Sequence, residues 1–305
     1  MANLFWKTSQ GTKSLLAIPF KTEDEFEKTV FETPELLEDI FLLKRQVRGG
    51  KKSGIPDIIG IDNDSNVCII EMKNVSVDAS IIPQLLQYAF WAESNPDSIK
   101  SLWLECENKP DDLSISWDTL EVRIIVVAPS ILRSTMDILE KINYPVDLIE
   151  VTRWVEGKSQ LILVNKLEQE FKKPKRRTTR GQEIYDADFY KRNYNKASAV
   201  SFLKFSKEVD ALNKKNGWAL QKKFNKHSCG FKAGYFNAFG IKWIGTKAFA
   251  FFFKISEKEA NKFNIPITRY ESQWKEAVYF IDPQKTKVNK FKPLFEFAYK
   301  KLSGD

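Results

Sequence analysis

SGIPDIIGIDNDSNVCIIEMKN, residues 53–74, is the stretch that decides the fold of the first half of this chain. Two apolar runs, 57–61 and 67–73, flank the turn-forming sequence Asp62-Asn63-Asp64-Ser65-Asn66, which predicts two strands joined by a short turn. Residues i and i+2 of a strand share a face, so Glu71 and Lys73 project together while Ile70 and Met72 face the other way. Pairing of the two strands brings Asp57 alongside Glu71. Two carboxylates and a lysine then converge beside Ile58, Ile59, Ile69 and Ile70. Paired carboxylates suit a hard divalent cation, Mg²⁺ or Mn²⁺, that favours oxygen ligands. Such an ion lowers the pKa of water and neutralises charge building on a phosphoryl oxygen. Lys73 would orient the attacking water or stabilise the pentacovalent transition state. The competing reading is a surface ion pair between Glu71 and Lys73, worth about 0–1 kcal/mol. It is disfavoured because these charges end an otherwise apolar strand and Asp57 occupies a matching place upstream.

Working outward, Thr22-Glu23-Asp24-Glu25 reads as a capping box opening a helix, with Phe26, Val30 and Phe31 as its buried stripe. Thr33-Pro34 ends it and starts a second short helix carrying Leu36, Leu37, Ile40 and Phe41. After the two strands, a helix is expected over 80–93 with Pro83 in its first turn, and another near 98–105. Residues 121–128, EVRIIVVA, form a near-continuous apolar run typical of a buried central strand. A helix over 131–142 and strands over 146–155 and 160–164 complete the domain. This order of elements predicts an α/β fold, a mixed sheet flanked by helices, over residues 1–165.

Charge divides the 305 residues sharply. Residues 1–165 hold 17 Lys+Arg against 26 Asp+Glu, a net −9, and residues 166–305 hold 31 against 14, a net +17. The switch falls in KLEQEFKKPKRRTTRGQE, so 166–182 is expected to be a basic linker whose Lys175, Arg176 and Arg177 track a phosphate backbone. Residues 183–305 read as a smaller basic α+β domain with an antiparallel sheet. Its expected elements are helices over 198–213, 256–263 and 290–302 and strands over 218–224, 230–243, 247–255 and 277–281. Phe231, Tyr235, Phe236, Phe239, Trp243, Phe249, Phe251, Phe252 and Phe253 interleave with Lys232, Lys242, Lys247 and Lys254. Aromatics at alternate strand positions are usually core, but one or two beside cations would stack bases. A single histidine, His227, excludes histidine-rich zinc sites. Cys68, Cys106 and Cys229 are scattered and form no CxxC pair, which implies a reducing, cytoplasmic setting. No secretory signal is visible at the N-terminus, and the uncharged run over 79–92 is too short to span a bilayer.

Pro56-Asp57 followed by Glu71-Met72-Lys73 resembles the signature of the PD-(D/E)XK, or restriction-endonuclease-like, nuclease superfamily. The run EDEFEKTVFETPELL, residues 23–37, resembles the first helices of its NucS-type branch, and Lys44-Arg45-Gln46-Val47 the strand that follows them. Gln84-Leu85-Leu86-Gln87-Tyr88 resembles the QxxxY helix of NucS-type and RecB-type nucleases, with Gln84 and Tyr88 on one helical face. The likeness covers residues 23–91 well. It implies that Asp57 and Glu71 are the principal metal ligands, that Glu27 completes the site, and that Lys73 orients the nucleophilic water. It further implies that Gln84 holds the site or the scissile phosphate and that Tyr88 supports it. Arg45 and Arg48, with Lys51 and Lys52, would grip a phosphate nearby. In NucS-type proteins the nuclease domain follows a DNA-binding domain, whereas here it comes first.

The sequence therefore predicts a Mg²⁺- or Mn²⁺-dependent endonuclease that hydrolyses DNA, with RNA left open, acting in repair or defence. Double-strand cutting would favour a homodimer. The alternatives are a nucleic-acid-binding protein on a nuclease scaffold that does not cut, and a protein-interaction domain with incidental basic charge.

Overall fold

The computed structural model describes residues 4–9, 11–46, 56–110, 113, 115–139, 141–157, 159–167, 185–234 and 236–304. Contacts divide the chain into two compact units, Met1–Glu107 with Ile115–Lys173, and Asn108–Ser114 with Pro174–Asp305.

The first unit runs β1 (Leu4–Thr8), β2 (Gly11–Leu15), α1 (Glu23–Glu32), a 3₁₀ turn (Pro34–Leu37), β3 (Ile40–Arg45), β4 (Ile58–Asp62), β5 (Val67–Met72), α2 (Ile82–Ser94), α3 (Pro96–Glu105), β6 (Val122–Ala128), α4 (Arg133–Leu139), β7 (Val146–Glu156) and β8 (Ser159–Leu167). Strands β3 to β8 form one mixed sheet in sequence order. Only the β5–β6 and β6–β7 pairs are parallel. Both of those connections carry helices, because a parallel neighbour can be reached only by a crossover. Every residue of β4 and β5 is buried, as expected for strands covered on both faces. One face packs Ile58, Ile70, Met72 and Ile125 against Phe26, Val30 and Leu37. Helix α2 packs on β5 and β6, and none of its residues joins that cluster, so it covers the other face. Gly60 is required where β3 crosses β4: a Cβ there would lie 2.7 Å from Ile40 Cγ2 and 2.9 Å from the Phe41 carbonyl oxygen.

Three details differ from the sequence reading. Ile40 and Phe41 belong to β3 rather than to a helix, because the 3₁₀ turn stops at Leu37 and Asp39 turns the chain at φ 68°. Residues 4–15 form a hairpin that composition did not disclose. Strand β8 continues to Leu167, so Lys166 and Leu167 are paired strand residues rather than linker, and Lys166 Nζ lies 2.7 Å from Asp147. The rest of the basic stretch, with Lys175, Arg176 and Arg177, falls outside the described residues, as do Val47, Arg48, Lys51 and Lys52.

The second unit contains α5 (Ala187–Asn193), α6 (Lys196–Lys215), β9 (Gln221–Phe224), β10 (Ser228–Ala233), β11 (Phe236–Ile244), β12 (Ala248–Phe253), α7 (Glu257–Ala260), β13 (Arg269–Glu271), β14 (Glu276–Phe280) and α8 (Lys292–Ser303). Its six strands are antiparallel in the order β13-β14-β12-β11-β10-β9, with α6 and α8 packed on β11. The expected strand over 230–243 is a hairpin of two, turning at Gly234 with φ 57°. Helix α5 and strand β13 were not foreseen. Phe231, Phe239, Trp243, Phe249, Phe251 and Phe253 are buried in the core against the helices, and Phe252 is buried on the opposite face beside Val278. These rings are therefore core, not base-stacking platforms, and Tyr235 lies outside the described residues. Lys242 is buried too, paired with Glu271 and with Glu276 at 3.0 Å. Among the described residues no helix is long and apolar enough to cross a membrane.

Candidate active site

The site assembles where α1, the end of β3, and strands β4 and β5 meet. Thr22 caps α1 by accepting from the Glu25 amide. Glu25 reaches the Lys21 amide rather than that of Thr22, so the capping box closes one residue early. Arg153 of β7 fixes this corner. Its guanidinium lies 4.0 Å over the Phe20 ring, donates to Glu25 at 2.8 Å, and donates to the Pro19 carbonyl. Phe20 in turn stacks on Phe26 at 4.5 Å. With α1 pinned, Glu23 and Glu27, one turn apart, share a face.

Strands β4 and β5 pair with Ile58 opposite Ile70. Extending that register by one residue sets Asp57 across from Glu71, as the spacing predicts. Asp57 Oδ2 accepts from the Met72 amide at 2.7 Å. Lys73 Nζ donates to Glu71 Oε1 at 2.6 Å and to Glu23 Oε1 at 3.2 Å, tying the strand to the helix. Glu23, Glu27 and Asp57 each offer an oxygen, all within 4.8 Å of one another. Glu71 is fully buried, yet its Oε2 has no hydrogen-bond partner among the described residues.

Electrostatics report the same crowding. Burial, and then the charge of Asp57, push the Glu71 carboxyl up to about 8 against the pull of Lys73. Burial raises Asp57 as well, opposed by the Met72 amide and Lys73. Glu27 is raised by burial, opposed by a hydrogen bond from Gln46 and aided by Asp57. Burial works against the Lys73 ammonium, but its hydrogen bond to Glu71 and the fields of Glu71, Asp57 and Glu23 outweigh that, so it holds its proton more tightly than an ordinary lysine. Carboxylates that resist ionising beside a buried, unpartnered oxygen fit a pocket shaped for a hard cation.

The remaining expected residues stand around this group. Gln84 Nε2 donates to Tyr88 Oη at 2.6 Å. Tyr88 is buried, which raises its pKa against the Gln84 hydrogen bond, and it also feels the charges of Glu71 and Asp57. That reach follows from alternation: Glu71 points to the α2 side of the sheet. Arg45 pairs within the unit, 3.1 Å from Asp24 and 4.0 Å from Glu27. Two members went unnoticed in the sequence. Glu23 was read as part of a helix cap, although its i,i+4 spacing from Glu27 was a signal. Gln46, in a left-handed turn at φ 48°, holds Glu27 at 3.0 Å through its side chain and the Asp57 carbonyl through its amide.

No family model matches this chain. It is 31% identical over 123 residues to Endonuclease NucS of Pyrococcus horikoshii, covering 39% of this chain and 38% of that protein. It is 29% identical over 123 residues to Endonuclease NucS of Pyrococcus furiosus, covering 40% of this chain and 37% of that protein. The match thus spans under two fifths of the length of either relative. Among solved structures it is similar to a repair endonuclease from Pyrococcus abyssi, with 26% identity, a TM-score of 0.29, and coverage of 43% of this chain and 48% of that one. It is also similar to EndoMS in an EndoMS–dsDNA complex, with 25% identity, a TM-score of 0.30, and coverage of 44% and 46%.

Proposed function

From a chain related to the NucS-type, restriction-endonuclease-like nucleases over part of its length, we propose a divalent-cation-dependent endonuclease that hydrolyses DNA phosphodiester bonds in DNA repair. The observation that carries this reading is Asp57 in register with a fully buried Glu71 whose Oε2 has no hydrogen-bond partner among the described residues. Asp57, Glu71 and Glu27 would hold Mg²⁺ or Mn²⁺. When bound, the ion supplies a lowered water pKa and charge neutralisation at the phosphoryl oxygen.

The chain's own groups do the rest. Lys73 stays an ammonium at neutral pH, so it acts as a donor rather than as a general base. It orients the attacking water and meets negative charge as that charge develops on the phosphate. Met72 fixes Asp57 through its amide, and Gln46 fixes Glu27, so the acids are held before substrate arrives. Gln84, braced on Tyr88, would face the scissile phosphate. Arg45 would add positive charge beside the pocket, and Arg48 with the Lys175, Arg176 and Arg177 cluster would contact the DNA backbone. The unit over 183–305 would supply further non-specific affinity through its net positive charge.

The test is cleavage of labelled linear, single-stranded, branched and mismatched DNA with Mg²⁺ or Mn²⁺. Asp57→Ala, Glu71→Ala and Lys73→Ala should each abolish cutting while leaving a cooperative melt. Undiminished cutting by Glu71→Ala overturns the proposal.

A further inference from the structure

The β1–β2 hairpin takes no part in the carboxylate pocket, yet its chain runs directly into α1. Residues 1–22 hold three lysines, Lys7, Lys13 and Lys21, and no acid, whereas residues 23–165 hold 14 Lys+Arg against 26 Asp+Glu. Strands β1 and β2 pair with Phe5 opposite Ser14 and Lys7 opposite Thr12. Alternation therefore sets Phe5, Lys7, Thr12 and Ser14 on one face, and Leu16 and Ile18 follow Ser14 in the same alternation. The other face turns inward: Leu15 is buried, and Lys13 bonds Glu156 of β7 at 2.8 Å. The outward face stays open, with Phe5 61% exposed, Leu16 81% and Ile18 43%.

This face is anchored to the helix that carries Glu23 and Glu27. The Ile18 amide donates to the Arg153 carbonyl at 2.8 Å, and Arg153 donates to the Pro19 carbonyl and covers Phe20. Helix α1 starts three residues after Phe20, at Glu23. At no more than about 3.6 Å per residue, Leu16 lies within about 25 Å of Glu23. A duplex rises about 3.4 Å per base pair, so the hairpin stands within about seven base pairs' length of a phosphate held at the site.

The chemistry of the face selects its partner. It carries none of the Arg, Asn, Gln or Glu side chains that make bidentate contacts to base edges in the major groove. Two of its three large apolar groups are aliphatic. That suits insertion between stacked base pairs from the minor groove better than a platform for single-stranded bases, where aromatic rings dominate. Lysines without acids complement the phosphates that flank such a step.

We propose that the hairpin is a duplex wedge: Phe5 and Leu16 enter a base step beside the cut from the minor groove and bend the DNA, with Lys7 on a flanking phosphate. This rests on the nuclease reading above and adds to it that the substrate is read through the deformability of a step rather than through base sequence.

The experiment titrates the full-length chain, in Ca²⁺ without Mg²⁺ or Mn²⁺, into a short duplex carrying donor and acceptor dyes at its ends. Wild type should bind and raise the energy transfer. Phe5→Ala combined with Leu16→Ser should bind about tenfold more weakly and lose the bend. Phe5→Leu should keep both, because any apolar wedge serves. Both positions are exposed, and an unchanged circular-dichroism melt confirms the fold. Unchanged affinity and bending in the double variant overturns the inference; loss of self-association or of binding to phosphatidylglycerol vesicles in that variant would then name the occupant. No bend with wild type, and an equal loss of affinity for single-stranded DNA in the double variant, overturns it in favour of unpaired bases. Cleavage by wild type in Mg²⁺ alongside either result leaves the nuclease reading standing. No DNA bound or cut by wild type overturns both.

Discussion

Raising the pH of the metal-free protein should destabilise its first unit, and the loss should be traceable to Glu71. The folded carboxyl titrates near 8 against an ordinary 4.5. A folded-state pKa above the unfolded one means that the native state keeps a proton the unfolded chain has already released. The associated stability is complete below about pH 4.5 and is lost as pH rises to about 8, where it levels off. Each pH unit of that displacement is worth about 1.4 kcal/mol, so the ceiling is about 5 kcal/mol. Half of that would still lower the melting temperature by roughly 5–10 °C for a unit of this size. Asp57 and Glu27 are displaced in the same direction and add to the slope. Glu25, held low by the hydrogen bond from Arg153, loses its contribution only at more acid pH and leaves this window clear. In Glu71→Gln the amide oxygen can keep the Lys73 hydrogen bond, and its NH₂ replaces the unpartnered oxygen with a donor facing Asp57. Scanning calorimetry in chelator at several pH values between about 5 and 8.5 should show a falling first-unit transition for wild type and a flatter one for Glu71→Gln. Adding Mn²⁺ should recover wild type most at the alkaline end and leave Glu71→Gln nearly unmoved, because a cation replaces the proton only where a carboxylate can form. Parallel pH profiles for the two proteins would refute the reasoning.

Two further outcomes follow from packing. Gly60→Ala should cost about 1–3 kcal/mol in denaturant unfolding, since its Cβ would meet the Phe41 carbonyl oxygen at 2.9 Å and backbone there cannot move aside cheaply; a change within about 0.5 kcal/mol would mean that β3 is not seated on β4 as described. Lys242→Met should destabilise the second unit by about 3 kcal/mol, because Glu271 and Glu276 are both buried and would lose the ammonium that pairs with both of them; a neutral effect would show that the buried charges do not depend on this lysine.

The strand pair was legible because its information is local. A five-residue turn and a period of two fix which side chains share a face, and Asp57, Glu71 and Lys73 are related by those rules alone. Glu27, Gln84 and Tyr88 came from resemblance rather than from spacing. Their convergence depends on where α1 and α2 dock, which is set by distant residues such as Arg153 and Phe20. The aromatic strands of the second unit misled for the opposite reason. Alternation is visible in the sequence, but which face meets a helix is not, and α6 and α8 cover the face that carries most of the rings.

Glu23 shows most clearly where local rules stop. An acid at the start of a helix is explained sufficiently by the macrodipole and by capping, so the sequence offers no reason to ask more of it. Only when α1 is laid across the end of β5 does Glu23 come within 3.2 Å of Lys73, and its oxygen within 4.8 Å of those of Glu27 and Asp57. Glu71, on the α2 side of the same strand, is fully buried, and its Oε2 has no hydrogen-bond partner among the described residues. A stability-driven sequence would have put an amide or an apolar side chain at position 71. A buried acid with a raised pKa at a corner that holds three further acids is a cost that folding alone does not repay, and binding a cation there would offset it.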